Sequence, residues 1–293
     1  MEARAIEVLR TIDRGAHAEI LAARSRVDGR PLLIKRLHPG LLDYGEDFVD
    51  GLVDGVMGRR WPEGTAWLAP VAAVRDEDVR MIVSPWVEVA PLAALLRAGA
   101  LSAAAVAALG VQLIDALAAL GRADPRAIYG ELTPAHVLVD RGGGLRIQAA
   151  CLSPWIHRSG ARFCRGILSV ILPSMDHWAP ERLRGRQEDL RGDLYGVGLL
   201  LWRSLGVRGP FAGDSAFARA QAKLSGELPA LGELSPETPP EVVEAIASLL
   251  ARDPEERPSV EAAAAGHLGL DHWAAGGREA LARRVAALLD AAG

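Results

Sequence analysis

The hydrophobic texture of this chain changes once, and that change limits its architecture more than any single motif. Residues 5–38 alternate with the period of strands: Ile6, Val8 and Leu9, then Ile20 and Leu21, then Leu32 to Ile34. Turn signals interrupt them at Asp13 to Gly15 and at Asp28 and Gly29. Residues 71–75 and 80–83 read as two more strands around a turn at 76–78, and residues 46–58 have helical spacing. Beyond Pro91 the pattern becomes long Ala/Leu helices, alanine being the strongest helix former, broken by one hairpin over 137–147 that turns at 141–144. A strand-rich part followed by a helical part, joined near 84–90, predicts an α+β fold.

With 293 residues the chain has room for one two-lobed domain or two small ones. A net charge of −4 argues against a nucleic-acid or membrane-surface binder. The two cysteines, Cys151 and Cys164, fit a reducing compartment rather than a disulfide framework. The first ten residues lack a basic region followed by an apolar run, so no signal peptide is expected. The most apolar region, 90–120, contains Arg97, Gln112 and Asp115 and reads as packed helices, not a membrane span. A cytoplasmic protein is therefore expected. All but two of the 33 basic residues are arginine; Lys35 and Lys223 are the lysines. Against that background a lysine at a meaningful position carries weight.

Four motifs stand in order. Residues 128–152 read IYGELTPAHVLVDRGGGLRIQAACL; Ala179-Pro180-Glu181 follows; residues 193–211 begin DLYGVGLLLWRSLG; residues 249–259 read LLARDPEERPS. Together these resemble the bacterial eukaryotic-like Ser/Thr protein kinases over residues 5–268. In that family the first stretch runs HRDLKPxNILL and then to DFG, the second is APE, and the last carries a buried arginine. The resemblance implies a bilobal kinase-like fold in a single domain over 1–293. Its β-rich N-lobe spans about 1–85, its hinge about 84–90 and its helical C-lobe about 91–270, followed by a helical extension over 271–293. It also implies that Glu181 pairs with Arg257 and that Asp193 holds the backbone of the catalytic loop.

Set against the family, the chemical positions differ. Tyr129, Gly130 and Glu131 stand at His-Arg-Asp, His136 stands at the magnesium-binding Asn, and Ala149, Ala150 and Cys151 stand at Asp-Phe-Gly. Magnesium prefers hard oxygen ligands, which Ala149 lacks; the imidazole of His136 suits zinc or copper better. Glu131 keeps a carboxylate one methylene too long at the catalytic-base position. A zinc site from Glu131, His136 and Cys151 is conceivable, but a repacked cleft is the simpler expectation. The glycine-rich loop falls at 13–18, where Gly15 alone remains beside Asp13 and Ala18; it reads as a degraded phosphate clamp or an ordinary turn. Lys35 takes the VAIK lysine position and is the one residual cofactor-binding candidate. Its usual glutamate partner is replaced by Gly51, with Asp47, Asp50 and Asp54 nearby, of which Asp50 or Asp54 could pair with Lys35 with a shorter reach. Gly51, Gly55 and Gly58 weaken that helix or admit another backbone. Leu33 shares the face of Lys35 on a strand and either fills the adenine space or packs under the sheet.

Residues 152–178 correspond to the activation segment. Ser153, Ser159, Ser169 and Ser174 are its possible phosphoacceptors. Its run Ile167, Leu168, Ser169, Val170, Ile171, Leu172 is apolar and strand-prone, and is either buried or a docking surface. The tail places Leu281, Val285, Leu288 and Leu289 on one helical stripe, as in a helix packed on its own domain. These features predict a pseudokinase, not an enzyme, with no catalytic residue at Glu131, His136 or Ala149. No metal and no cofactor are expected, and its work is expected to be protein binding as a scaffold or regulator in signalling. The rivals are a nucleotide sensor without turnover and an atypical transferase using Lys35, Glu131 and His136.

Overall fold

The computed structural model describes residues 2–15, 18–64, 66–76, 79–149, 172–207, 209–211, 213–225 and 228–291. They fall into two compact units. The first holds the described residues up to Trp61, Trp67–Glu88 and residues 148–149; the second holds Pro62–Ala66, Val89–Ile147 and the described residues from 172 onward.

In the first unit β1 (Ile6–Arg14), β2 (Ala18–Ser25), β3 (Pro31–Leu37), β5 (Ala72–Asp76) and β6 (Val79–Pro85) form one antiparallel sheet in the order β1-β2-β3-β6-β5. The short strand β4 (Trp67–Leu68) precedes β5. Alternation sends Leu21, Leu32, Ile34, Met81 and Val83 into a core on one face. Ala18, Leu37 and Ile82 on the other face meet Val49, Leu52, Val53 and Val56 of helix α1 (Glu46–Met57). The register places Lys35 opposite Ile20 on one side and Ile82 on the other, so it stands on the helix-covered face. Val8 and Leu9, read from sequence as strand residues, are in β1 but exposed, because β1 is a sheet edge and its register shifts twice. Such irregularity discourages edge-to-edge pairing.

In the second unit β7 (Val89–Pro91), β8 (Val137–Asp140) and β9 (Leu145–Gln148) pair antiparallel in chain order. The β8–β9 turn is set by Asp140, whose carboxylate accepts from the amides of Gly142 and Gly144. The helices are α2 (Leu92–Arg97), α3 (Ala103–Ala123), α4 (Pro180–Leu183), α5 (Leu190–Ser204), α6 (Ala216–Ser225), α7 (Leu231–Leu234), α8 (Pro240–Leu249), α9 (Val260–Gly266), α10 (Leu270–Trp273) and α11 (Gly277–Asp290). α3 is capped by Ser102, whose hydroxyl accepts from the amide of Ala105. It packs against α5, α9, α10 and α11. A Cβ at Gly110 would sit 2.7 Å from Leu270 and 3.0 Å from Leu201, so glycine sets that close approach. α3 is long and apolar enough to cross a membrane, yet 72% of its most apolar stretch is buried within the fold. The tail helix α11 buries Leu281 and Val285 on its own unit, as its stripe indicated. The architecture is thus a kinase-like α+β fold, with a sheet-rich N-terminal region and a helical C-terminal region.

Candidate functional site

Of the candidate residues, Lys35 and Ala149 belong to the first unit; Glu131 and His136 belong to the second. Lys35 is 7% exposed and lines a cavity of about 10 Å³ with Ile20, Leu33, Leu68, Ser84, Gln148 and Ala149. That volume admits one water molecule at most. Leu33, 5% exposed, occupies this cavity's wall beside Lys35 and does not pack on the opposite face. Gln148, Leu68 and Ser84 complete the wall; no motif marked them, and only the strand register would have aligned Ser84 with Leu33. Ala149 is fully buried and presents a methyl group.

The carboxylates expected near Lys35 are held by arginines. Asp50 accepts from Arg80 Nε at 2.7 Å and lies 3.2 Å from Arg75 Nε, while Asp54 pairs with the far end of Arg75. Residues 75 and 80 face each other across β5 and β6, which aims both guanidiniums at α1. Gly51 is exposed and an added Cβ there would meet nothing within 4 Å, so among the described residues no backbone approaches it. Between β1 and β2 the Gly15 amide donates to the Ala18 carbonyl at 2.9 Å.

In the second unit the loop 129–136 is organised from below. Asp193, 5% exposed at the start of α5, accepts from the amides of Tyr129 and Gly130, each at 2.7 Å. Gly130 has φ +76°, where a residue with a side chain would be strained by about 1–3 kcal/mol. Arg182 of α4 donates to the Gly130 carbonyl and stacks 4.3 Å from the Trp178 ring, a contact the sequence did not signal. Glu131 is 6% exposed. The Nδ1–H of His136 donates to the Glu131 backbone carbonyl at 3.0 Å, which removes that nitrogen as a metal ligand. An imidazole so engaged and a buried methyl do not make a magnesium donor set. Among the described residues no group of three or more His, Cys, Asp or Glu is arranged to hold a metal ion.

Beneath the loop, Arg257 grips Glu181 through two bonds, at 2.7 and 2.8 Å, with both residues at most 4% exposed. This is the pairing implied by the APE and RPS segments. Nearby Glu188 has its carboxyl pushed up to about 7 by burial, against the opposing pull of Arg182. Ala150, Cys151, Ser153, Ser159, Cys164, Ile167, Leu168, Ser169, Val170 and Ile171 lie outside the described residues. Leu172 and Ser174 begin the 3-10 helix Leu172–His177, of which only the backbone is described at those two positions.

No protein-family model matches the chain. Curated bacterial kinases do match. The probable serine/threonine-protein kinase pknA2 of Bifidobacterium longum is 25% identical over 270 residues, 89% of this chain and 34% of that protein. Serine/threonine-protein kinase PrkC of Bacillus subtilis is 24% identical over 260 residues, 86% of this chain and 38% of that protein. PknL of Mycobacterium tuberculosis is 29% identical over 163 residues, 56% of this chain and 39% of that protein. The chain therefore spans well under half the length of these relatives. By these matches and its kinase-like fold, the chain is similar to the bacterial eukaryotic-like Ser/Thr protein kinases. The expectation that it is not an enzyme is corrected by the same matches, since the relatives are named as Ser/Thr kinases. The physical reason is that phosphoryl transfer is spread over many positioning contacts, so one missing carboxylate does not decide activity.

Proposed function

We propose that this kinase-like chain acts in bacterial signalling as a protein-binding regulator in the cytoplasm. The observation that carries this reading is a contrast within the fold. The contacts that hold the frame are complete: Glu181 with Arg257, and Asp193 with the amides of Tyr129 and Gly130. The cavity beside Lys35, in contrast, has room for no more than a water molecule. A frame maintained in this way can serve as a contact surface. The apolar run 167–172 is its proposed contact, on sequence grounds: its side chains would gain about 25 cal/mol per Å² on burial, and a strand-prone run can extend a partner's sheet. The test pairs Leu168→Glu with Ile171→Glu and reads both thermal unfolding and recovery of the partner captured by the unaltered chain. Loss of the partner with an unchanged melting temperature is expected; retention of the partner overturns the proposed surface.

A second reading is phosphoryl transfer by an atypical route using Lys35, Glu131 and His136, favoured by the burial of Lys35 and Glu131 and by the names of the relatives. Metal-dependent label transfer from ATP that vanishes in Glu131→Ala would establish it in preference to the first.

A further inference from the structure

Lys223, one of only two lysines in the chain, has no part in the cavity beside Lys35 or in the loop 129–136. It sits on α6 and is 2% exposed. Its ammonium donates to three backbone carbonyls of one loop, those of Trp178 at 2.7 Å, Asp176 at 3.0 Å and Met175 at 3.4 Å. The rings of Tyr195 and Phe211 each stand 5.6 Å from the nitrogen. Three acceptors and two aromatic faces match a compact ammonium with three donors; a planar guanidinium could not satisfy them from one point. In a chain that otherwise uses arginine almost everywhere, that geometry explains a lysine.

The loop so held is the end of the 3-10 helix Leu172–His177 and the lead into α4, where Glu181 sits. The charged and titratable groups around the cage come from each element packed on it. From α6 Arg219 makes a two-pronged pair with Asp176, at 2.8 and 2.7 Å. From the loop come Asp176 and His177, whose ring is kept neutral with its pKa down to about 3 by burial first and then by Arg203 and Lys223. From α5 come Arg203, 3.2 Å from His177, and Tyr195, whose ring also carries Arg257 at 4.8 Å. We infer that Lys223 is a proton-operated latch: its ammonium ties the loop Met175–Trp178 to α6, and loss of the proton slackens that tie.

The chemistry follows from donor count. An ammonium offers three N–H bonds to three carbonyls, whereas a neutral amine offers two and leaves one carbonyl without its donor. Burial lowers the lysine pKa to about 7, partly opposed by Asp176, which brings the change into the neutral range. The proton is taken up from and released to solvent, and Arg219 with Asp176 remains as the fixed point about which the loop slackens.

The test uses the full chain labelled with ¹³Cε,¹⁵Nζ-lysine. Because the chain has two lysines, two signals appear, and Lys35→Met assigns them without touching the cage. A titration from pH 5.5 to 10 should show the Lys223 signal changing near neutrality and the backbone amides of Met175 to Trp178 moving with the same midpoint. Amide exchange in that loop, corrected for its intrinsic pH dependence, should rise about tenfold across the transition, the effect of losing one charge-assisted hydrogen bond. Lys223→Arg, which keeps the charge, should abolish the loop transition. The inference is overturned if the Lys223 signal stays that of an ammonium to pH 9.5, or if it titrates while the loop amides do not follow. Should Lys223→Arg fail to fold, the titration of the unaltered chain decides alone.

Discussion

Replacing Glu181 by alanine should destabilise the protein by about 3 kcal/mol, and the structure says why the loss is not larger. The substitution removes two charge-assisted hydrogen bonds, at 2.7 and 2.8 Å, each worth roughly 1.5–3 kcal/mol. It also strands the guanidinium of Arg257, whose side chain is 0% exposed. Breaking a buried pair in this way commonly costs about 3–5 kcal/mol. Here Arg257 keeps the carbonyls of Ala251 at 2.7 Å, Arg191 at 3.0 Å and Arg252 at 3.3 Å, and lies over the ring of Tyr195. Those contacts continue to solvate the charge and hold the loss to the lower end. Urea unfolding followed by circular dichroism gives the number from the shift in midpoint at constant slope. A companion variant joining Glu181→Leu with Arg257→Met removes both charges, and should be more stable than Glu181→Leu alone because no unpaired charge remains. A loss below about 1 kcal/mol for Glu181→Ala, or strict additivity in the pair, would refute the view that this is a buried and coupled interaction.

Leu33→Ala enlarges the cavity beside Lys35 at a cost of about 2–4 kcal/mol. It should also create room for a small apolar probe such as xenon, read as binding that the unaltered chain lacks; no binding in the variant would mean that Leu33 is not what closes the space. Glu188 has its carboxyl raised to about 7 by burial in the fold, while in the unfolded chain it ionises near the usual carboxylate value. Stability tied to this group is therefore fully present below that usual value and declines as pH rises toward 7, by on the order of 1.4 kcal/mol for each pH unit between the two. Glu188→Gln should flatten that decline between pH 5 and 7, and identical pH profiles for the two proteins would exclude the assignment.

The elements of the fold were legible because local rules set them. Alternating apolar residues marked β2, β3, β5 and β6, and the Ala/Leu runs marked α3. The turn at 141–144 was legible from its glycine run, and the structure adds Asp140, whose carboxylate accepts from two of its amides. The Glu181–Arg257 pair and the Asp193 contacts were also expected, since the family resemblance of their motifs implies them. What the sequence did not show were partners set by strand register. Asp50 and Asp54 carry arginine contacts that no motif marked, because β5 and β6 aim Arg75 and Arg80 at α1. Arginines on two strands beyond β3 thus reach the same helix, and the long fork of Arg75 touches both carboxylates.

Composition spoke where motifs were silent. The near absence of lysine marked two positions, Lys35 and Lys223, and only the first fell on a recognisable pattern. The second was invisible because its partners are main-chain carbonyls of a loop 45 to 48 residues away, and main-chain acceptors leave no trace in side-chain identity. Both lysines share one physical trait: each is buried, at 7% and 2% exposure, where a protonated amine must be compensated or lose its proton. Lys223 meets that demand with three carbonyls. In a chain that answers almost every other need for positive charge with arginine, the Lys223 cage is a place where a compact ammonium fits and a planar guanidinium does not.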